Sequence, residues 1–472
     1  MKLTRSQTVA FGIGAVGKDM VYALSATYVM YYYQDILGLS ATFVGLILMI
    51  ARIFDALNDP FMGILVAKTR TRWGRFRPWL FSGTVLNAVV LYALFSAPDL
   101  SGSGMMVYFA VIYILWGTTY TMMDIPYWSM IPAVTELPKD RENLSVVGRT
   151  CAGVGSALIQ VGAIITVEAL GGGDERKGFS LIALIVAVIF VAAEIFCCFK
   201  VKEQRLEKME TSTVGQMFKA LFRNDQALIT VLAILLVNSA LYLTSNLIIY
   251  FFKYDVGAAL AADAAGWKGN YTVFTMVGGI FQILGMMAVY PLLHKKLTNT
   301  AIFKTALSMA IVGYILILGF CLMGLGSNMV ILCVCGALVF MSNGILTVLT
   351  TVFLSGSVDY GELKTGRREE SVIFSMQTFV VKAASGISVF ITGIGLDLIG
   401  LDGNTDSTGE IVAQSADTIM GLRLLMTVLP IILLAVAFIF FVKKFTLTDK
   451  KTEEIALALK EKKERRSEEE NA

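Results

Sequence analysis

Four polar residues, Arg52, Asp55, Asn58 and Asp59, lie within ARIFDALNDP, between the apolar runs ATFVGLILMI and FMGILVA. Arg52, Asp55 and Asp59 fall at i, i+3 and i+7 and share one face of a helix. Two carboxylates one turn apart repel unless a proton or a cation sits between them. Asn58, and Thr121 from a later segment, offer neutral oxygens nearby. The group reads as a site for a hard monovalent cation or for a shared proton.

A second set carries different chemistry. Lys18 and Asp19 are adjacent, and Tyr120, Asp124 and Trp128 repeat at i, i+4 and i+8. Arg149 follows on the next apolar segment. Carboxylates accept several hydroxyl hydrogen bonds at once, and an indole face packs on the apolar side of a sugar ring. Lysine and arginine donate to ring and hydroxyl oxygens. This is the chemistry of a polyol site. Far downstream, Thr378 and Lys382 lie one turn apart, with Gln377 beside Thr378.

The segments that must position these groups are apolar. Of 472 residues, 56% are hydrophobic and 16% charged, and the mean hydropathy is +0.70. A soluble fold of this length cannot bury so much apolar surface. The formal charge of +3 gives no reason to expect nucleic acid as a partner. The six cysteines fall in apolar stretches without metal-ligand spacing and read as reduced core residues. With one histidine, and no nucleophile–base pair or metal motif, the chain does not read as an enzyme.

A helix needs about 20 apolar residues to cross the hydrocarbon core. That rule predicts twelve spans, near 10–36, 41–67, 78–98, 105–133, 145–170, 180–199, 227–252, 270–293, 300–324, 328–355, 372–398 and 418–443. The expected fold class is an all-α membrane protein with twelve transmembrane helices in two six-helix bundles. The boundaries are 1–199 for the first bundle, 200–226 for a cytoplasmic linker, 227–443 for the second bundle and 444–472 for a cytoplasmic tail. The N-terminus shows no cleavage-site pattern, so the first span is expected to act as an uncleaved insertion signal. Within the linker, VGQMFKALF reads as an amphipathic helix on the membrane surface.

Basic residues set the orientation. KTRTRWGRFRP, the segment after span 6, and the loops after spans 8 and 10 are rich in lysine and arginine, while the odd-numbered loops are poor in them. The positive-inside bias places both termini in the cytoplasm of a multi-pass plasma-membrane protein, in a bacterium the inner membrane. KDRENLSVVGRT after span 4 and GRREESVIFSMQT after span 10 echo each other, as duplicated halves would.

Charges at the bilayer centre cost roughly 2.5–3.5 kcal/mol each on insertion scales. Lys18, Asp19, Arg52, Asp55, Asp59, Asp124, Arg149 and Lys382 all fall in predicted spans, and they sum to zero. They must face one another or a wet cavity. Buried pairs that fix helix packing, such as Lys18 with Asp124 or Arg52 with Asp55, are the plain alternative. Such pairs are often no more stabilising than apolar replacements, so function is the better reason to keep so many.

GKDMVYALSATYVMYYYQDILGLS, ARIFDALNDPFMG, TRTRWGRFRPW, YILWGTTYTMMDIPYWSMIP and DYGELK closely resemble the glycoside–pentoside–hexuronide:cation symporters, a branch of the major facilitator superfamily. Within that family the melibiose permeases are the most similar group. The resemblance covers nearly the whole chain. It implies cation-coupled sugar symport by alternating access, with a galactoside such as melibiose as substrate and Na+, Li+ or H+ as coupling ion. It implies a cation site of Asp55, Asn58, Asp59 and Thr121, with Asp55 and Asp59 holding Na+ or Li+. It implies sugar binding by Lys18, Asp19, Tyr120, Asp124, Trp128 and Arg149, joined by Gln377, Thr378 and Lys382, which match the span 11 motif QTxVVK. No cofactor is implied beyond the coupling ion. The implied partners are a small sugar, a monovalent cation and the lipid bilayer, with the chain acting as a monomer. Thr347 stands where melibiose permeases carry a tryptophan. That departure keeps open a transporter for a glucuronide, pentoside or lysolipid on the same fold. The basic loop after span 2 and the loop DYGELK–GRREE are expected to close the cytoplasmic side through charge pairs, with Glu142, Asp359 and Glu362 as candidate partners. A scaffold protein indifferent to Asp55 and Asp59 is the remaining alternative.

Overall fold

The computed structural model describes residues 4–134, 138–201, 203, 214–256, 266–365, 370–401, 413–455, 457–459 and 461. It holds twelve helices long and apolar enough to cross a membrane, and no strand among the described residues. Hydrocarbon offers the backbone no water, so each span satisfies its own N–H and C=O groups as a helix.

The helices are α1 (Arg5–Tyr31), α2 (Ala41–Lys68), α3 (Arg77–Phe95), α4 (Ser103–Val134), α5 (Pro138–Gly171) and α6 (Glu175–Lys200). There follow α7 (Val214–Arg223), α8 (Asp225–Tyr250), α9 (Gly266–Leu284), α10 (Tyr290–His294), α11 (Asn299–Leu322), α12 (Met329–Thr365), α13 (Glu370–Leu398) and α14 (Ala416–Lys444). Two helices end in π turns, α1 through Tyr32–Ile36 and α8 through Phe251–Val256. A third π turn, Gly285–Val289, joins α9 to α10 within one span. Polar caps fix several starts: Thr4 and Gln7 form a capping box on α1, while Asp174 and Asn224 accept from Lys177 and Ala227 at the heads of α6 and α8.

The predicted spans match the helices in number and order, with two differences. Helix α12 runs about ten residues past its predicted end, through the polar SVDYGELK. Its extra turns are held from the side, by a Lys364–Asp225 ion pair of 2.6 Å and a hydrogen bond from Tyr360 Oη to Asp225. The amphipathic α7 does form, and part of its apolar side meets protein. Leu221 and Phe218 pack on a cluster of Ala227, Val231, Ile234, Leu354, Val358, Ile373, Met376 and Val380, while Phe222 stays exposed.

The chain divides into two compact units. The first is Met1–Thr211 with Phe252–Thr275 and Val389–Thr418; the second is Ser212–Phe251, Met276–Ser388 and Ile419–Ala472. In the first unit, α1 packs on α5 and α6, and α4 on α2 and α3. Glu203 ties down the basic loop there, accepting from the backbone N–H groups of Arg75 (2.7 Å), Phe76 (2.8 Å) and Arg77 (3.3 Å) at the head of α3. Gly74, at φ +107°, presses against that carboxylate where no side chain would fit. In the second unit, α12 packs on α8 and α11. Asn224 bridges from the head of α8 to the Ser357 carbonyl at 2.7 Å.

Candidate functional site

Helix α4 is the centre of the first unit's polar region. Its long apolar run makes it a span, and its polar residues fall on faces turned to α1 and α2. Lys18 on α1 is 3% exposed and its ammonium is held by three groups. It donates to Tyr120 Oη at 3.1 Å and to Asp124 Oδ1 at 2.7 Å, and pairs with Asp19 at 3.0 Å. Trp128 Nε1 donates to the same Asp124 oxygen at 3.1 Å. Arg149 lies over the Trp128 ring, 4.1 Å from its centroid. The Asp19 and Asp124 side chains keep 19% and 24% exposure, so an incoming hydroxyl can reach them while the lysine stays sealed. Six of the residues expected at the sugar site are thus brought together.

One residue on, α4 faces α2. Thr121 Oγ1 donates to Asp59 Oδ1 at 3.4 Å. One turn earlier, Gly117 lies flat against the Asp55 carboxylate; a Cβ there would overlap Oδ1. Asp55 and Asp59 are thus matched, turn for turn, to Gly117 and Thr121. Arg52 pairs with Asp55 at 3.9 Å, and Asn58 is half-buried on the same helix. Carboxylate, hydroxyl and amide oxygens are the donors a hard cation takes. No group of three or more His, Cys, Asp or Glu able to hold a metal forms among the described residues.

Both packing pairs expected from the sequence exist, Lys18 with Asp124 and Arg52 with Asp55, but they are not separate. An aromatic ladder joins them. Tyr113 stacks on Trp116 with centroids 5.6 Å apart, and Trp116 on Tyr120 at 5.4 Å. The Arg52 guanidinium lies over Tyr22 at 5.3 Å and over Trp116 at 5.8 Å. Tyr22 and Trp116 escaped sequence reasoning, although Trp116 stands one turn before Tyr120 in the same i, i+4 series.

Gln377, Thr378 and Lys382 belong to the second unit, on α13. Thr378 is exposed, and Gln377 and Lys382 are half-buried. Thr347 is also exposed there, its hydroxyl donated to the Asn343 carbonyl at 2.9 Å. The side chain of Glu142 and residues 366–369 and 402–412 lie outside the described residues, as does most of 200–213.

A second polar network in the first unit was not anticipated. Lys253, on the π turn ending α8, pairs with Asp35 on the π turn ending α1 and donates to Tyr31 Oη at 3.3 Å. Tyr254 also donates to Asp35. Tyr31 donates to Glu175 at 2.7 Å, and Lys268 of α9 pairs with Glu175 at 2.8 Å and with Glu168. Asp397 of α13 accepts from Ser40 Oγ at 2.9 Å and from the Thr42 backbone at 2.8 Å. The ends of α1, α2, α5 and α6 are therefore tied to the ends of α8, α9 and α13.

Comparison with known proteins gives the family of the chain. A family profile described as MFS/sugar transport protein matches residues 10–449. An isoprimeverose transporter of Lactiplantibacillus pentosus is 28% identical, over 92% of this chain and 88% of that protein. A lactose permease of Lactobacillus delbrueckii subsp. bulgaricus is 30% identical, over 96% and 72%. A putative glycoside/cation symporter of Escherichia coli, YagG, is 28% identical, over 97% and 95%. Among solved structures, a mutant form of the nucleoside transporter NupG superposes with a TM-score of 0.65 at 12% identity, covering 92% of this chain and all of that one. At that identity the likeness speaks for the fold alone.

Proposed function

Because the chain belongs to the MFS/sugar transport protein family and is a multi-pass transporter rather than an enzyme, we propose that it is a cation-coupled glycoside symporter working by alternating access. The carrying observation is that one helix serves both groups of polar residues: α4 presents Tyr120, Asp124 and Trp128 to Lys18, and Gly117 and Thr121 to Asp55 and Asp59.

The cation, Na+, Li+ or H+, is bound by Asp55 and Asp59 with Asn58 and Thr121. It cancels the repulsion between the two carboxylates and lets α2 settle on α4. The Trp116–Tyr120 stack, with Arg52 at one end and Lys18 at the other, passes that setting to Asp124. Asp19, Asp124 and Arg149 take the sugar hydroxyls, and the Trp128 face takes its apolar side. Gln377, Thr378 and Lys382 are the further sugar ligands of this reading. Each ligand then improves the other's affinity, typically by about 1–3 kcal/mol.

A galactoside such as melibiose is the first substrate to test. The relatives named for isoprimeverose and lactose make other glycosides equal candidates. Thr347 favours a second reading, a glucuronide, pentoside or lysolipid, because its hydroxyl is already satisfied by its own helix and supplies no aromatic wall. The basic side of the molecule, with both termini, faces the cytoplasm of a bacterial inner membrane, where the protein acts as a monomer.

Calorimetry on the purified protein tests the reading, with and without sodium, across α-galactosides, β-galactosides, pentosides and glucuronides. Sodium-enhanced binding of one class supports symport. Binding that ignores Na+, Li+ and pH overturns the coupling, and binding of none overturns the substrate class.

A further inference from the structure

Glu194 stands in the apolar stretch VAAEIFCC of α6 and is fully buried. Neither carboxylate oxygen has a hydrogen-bond partner among the described residues. Its surroundings explain why. Gly14 of α1 approaches so closely that a Cβ there would stand 3.3 Å from Oε2. Tyr127 of α4 borders the same space, but its hydroxyl is donated to the Phe11 carbonyl. Cys197, one turn on along α6, closes the pocket. An ionised carboxylate so removed from water and from any hydrogen-bond donor is far costlier than a neutral one.

The pocket lies beside the sugar cluster. Gly14 is four residues before Lys18 on α1, about 6 Å along the axis. The ionisable groups around Glu194 are Lys18 and Asp19 on α1, Asp124 and Tyr127 on α4 and Cys197 and Cys198 on its own helix, with Arg77 at the head of α3 facing Cys198. Of those that face Glu194 itself, only Lys18 is cationic. Its ammonium rides on a flexible stem and is engaged on its other side by Asp124, Asp19 and Tyr120.

We propose that Glu194 is a proton-binding site that positions Lys18. This rests on the reading of Lys18 and Asp124 as sugar ligands. While Glu194 is protonated, Lys18 stays with Asp124 and Asp19 and the sugar cluster is assembled. When the proton leaves to water, the new carboxylate draws Lys18 down by one turn and disassembles the cluster. Sugar affinity is therefore high at acid pH and falls as Glu194 ionises. Glu194 never touches the sugar; it is a positioning residue.

Infrared difference spectroscopy across a pH titration of the purified protein tests this without any sugar. The expected result is a carboxylic-acid C=O band that disappears on titration, shifts with 13C-glutamate labelling of the wild type and is missing in Glu194→Gln. The labelling arm decides even if the variant misfolds. A wild type with no glutamate carboxylic-acid band overturns the proposal. Tryptophan fluorescence reads the movement of Lys18, which lies 5.1 Å from the Trp128 ring centroid. A pH-dependent change, absent in Trp128→Phe and in Glu194→Gln, is expected. A band with no fluorescence change overturns the coupling to Lys18. With nitrophenyl α-galactoside as probe, wild-type affinity falls on the order of tenfold through the titration, within the usual range of coupling between sites. A probe that binds at no pH counts against the galactoside reading and leaves the infrared result standing.

Discussion

Tyr120 and Thr121 are consecutive on α4 and serve different helices: Tyr120 receives Lys18 of α1, and Thr121 reaches Asp59 of α2. A peptide unit between them is nearly rigid, so a shift of α4 that improves one contact moves the other. Coupling between two ligands needs such a shared element with differential contacts to each.

Asp59→Cys is expected to remove cation dependence while keeping sugar binding. The ratio of sugar affinities with and without sodium should fall from the roughly 5–150-fold usual for coupled sites to near one. Calorimetry at matched ionic strength measures it; persistent sodium stimulation would count against Asp59.

Asp124→Ala should hit the sugar directly. Hydrogen bonds to a charged group contribute about 1.5–3 kcal/mol each, so affinity should drop by roughly 10–150-fold. The change also leaves Lys18 with Asp19 as its one ion-pair partner in the cluster, beside Tyr120, so a thermal melt should accompany the titration. Equal sugar affinity in a folded variant would remove Asp124 from the site.

Gly117→Ala places a Cβ on the Asp55 carboxylate. Overpacking of this kind costs about 1–3 kcal/mol, and here the displaced group is a proposed cation ligand. The sodium concentration for half-maximal stimulation should rise several-fold. Gly153→Ala is the control, since nothing lies within 4 Å of its added methyl.

Lys253→Ala leaves Asp35 as a buried charge without its lysine, a loss of about 3–5 kcal/mol by analogy with other broken buried pairs. Transport should fall, and the purified protein should melt earlier. In a double-mutant cycle with Asp35→Asn, the coupling energy should reach about 0.5–3 kcal/mol. Additive effects would mean that the pair does not hold these helix ends together.

The spans were legible because hydrocarbon forces long apolar runs into helices. Asp55, Asp59, Lys18 and Asp124 were legible because charges in such runs must meet one another. The ladder was less so: Trp116 and Tyr22 look like ordinary apolar packing until Arg52 and Lys18 are set at its ends. Glu194 has no polar neighbour at helical spacing, so the pattern that marks the other charges is missing. The tie between Asp35 and Lys253 spans 218 residues of sequence. Each partner sits where a span meets its loop, and there a charge needs no explanation. One signal did exist, for YYYQDILG and YFFKYDVG, at the ends of the first and seventh spans, each open on three aromatics and close on a glycine. For α7, periodicity reports that a face is apolar, not that Leu221 and Phe218 on it meet protein.

Those two segments share a winding as well as their leading aromatics. A π turn takes up one residue more than an α turn, and rewinding it would swing everything beyond by about 100°. Asp35 and Lys253 both ride on such turns. A register slip in either helix would thus unclasp the pair without bending a span or breaking a bilayer-buried backbone bond for long. The first and seventh spans end in matching turns, and one residue of slack is the step that rewinding either would take.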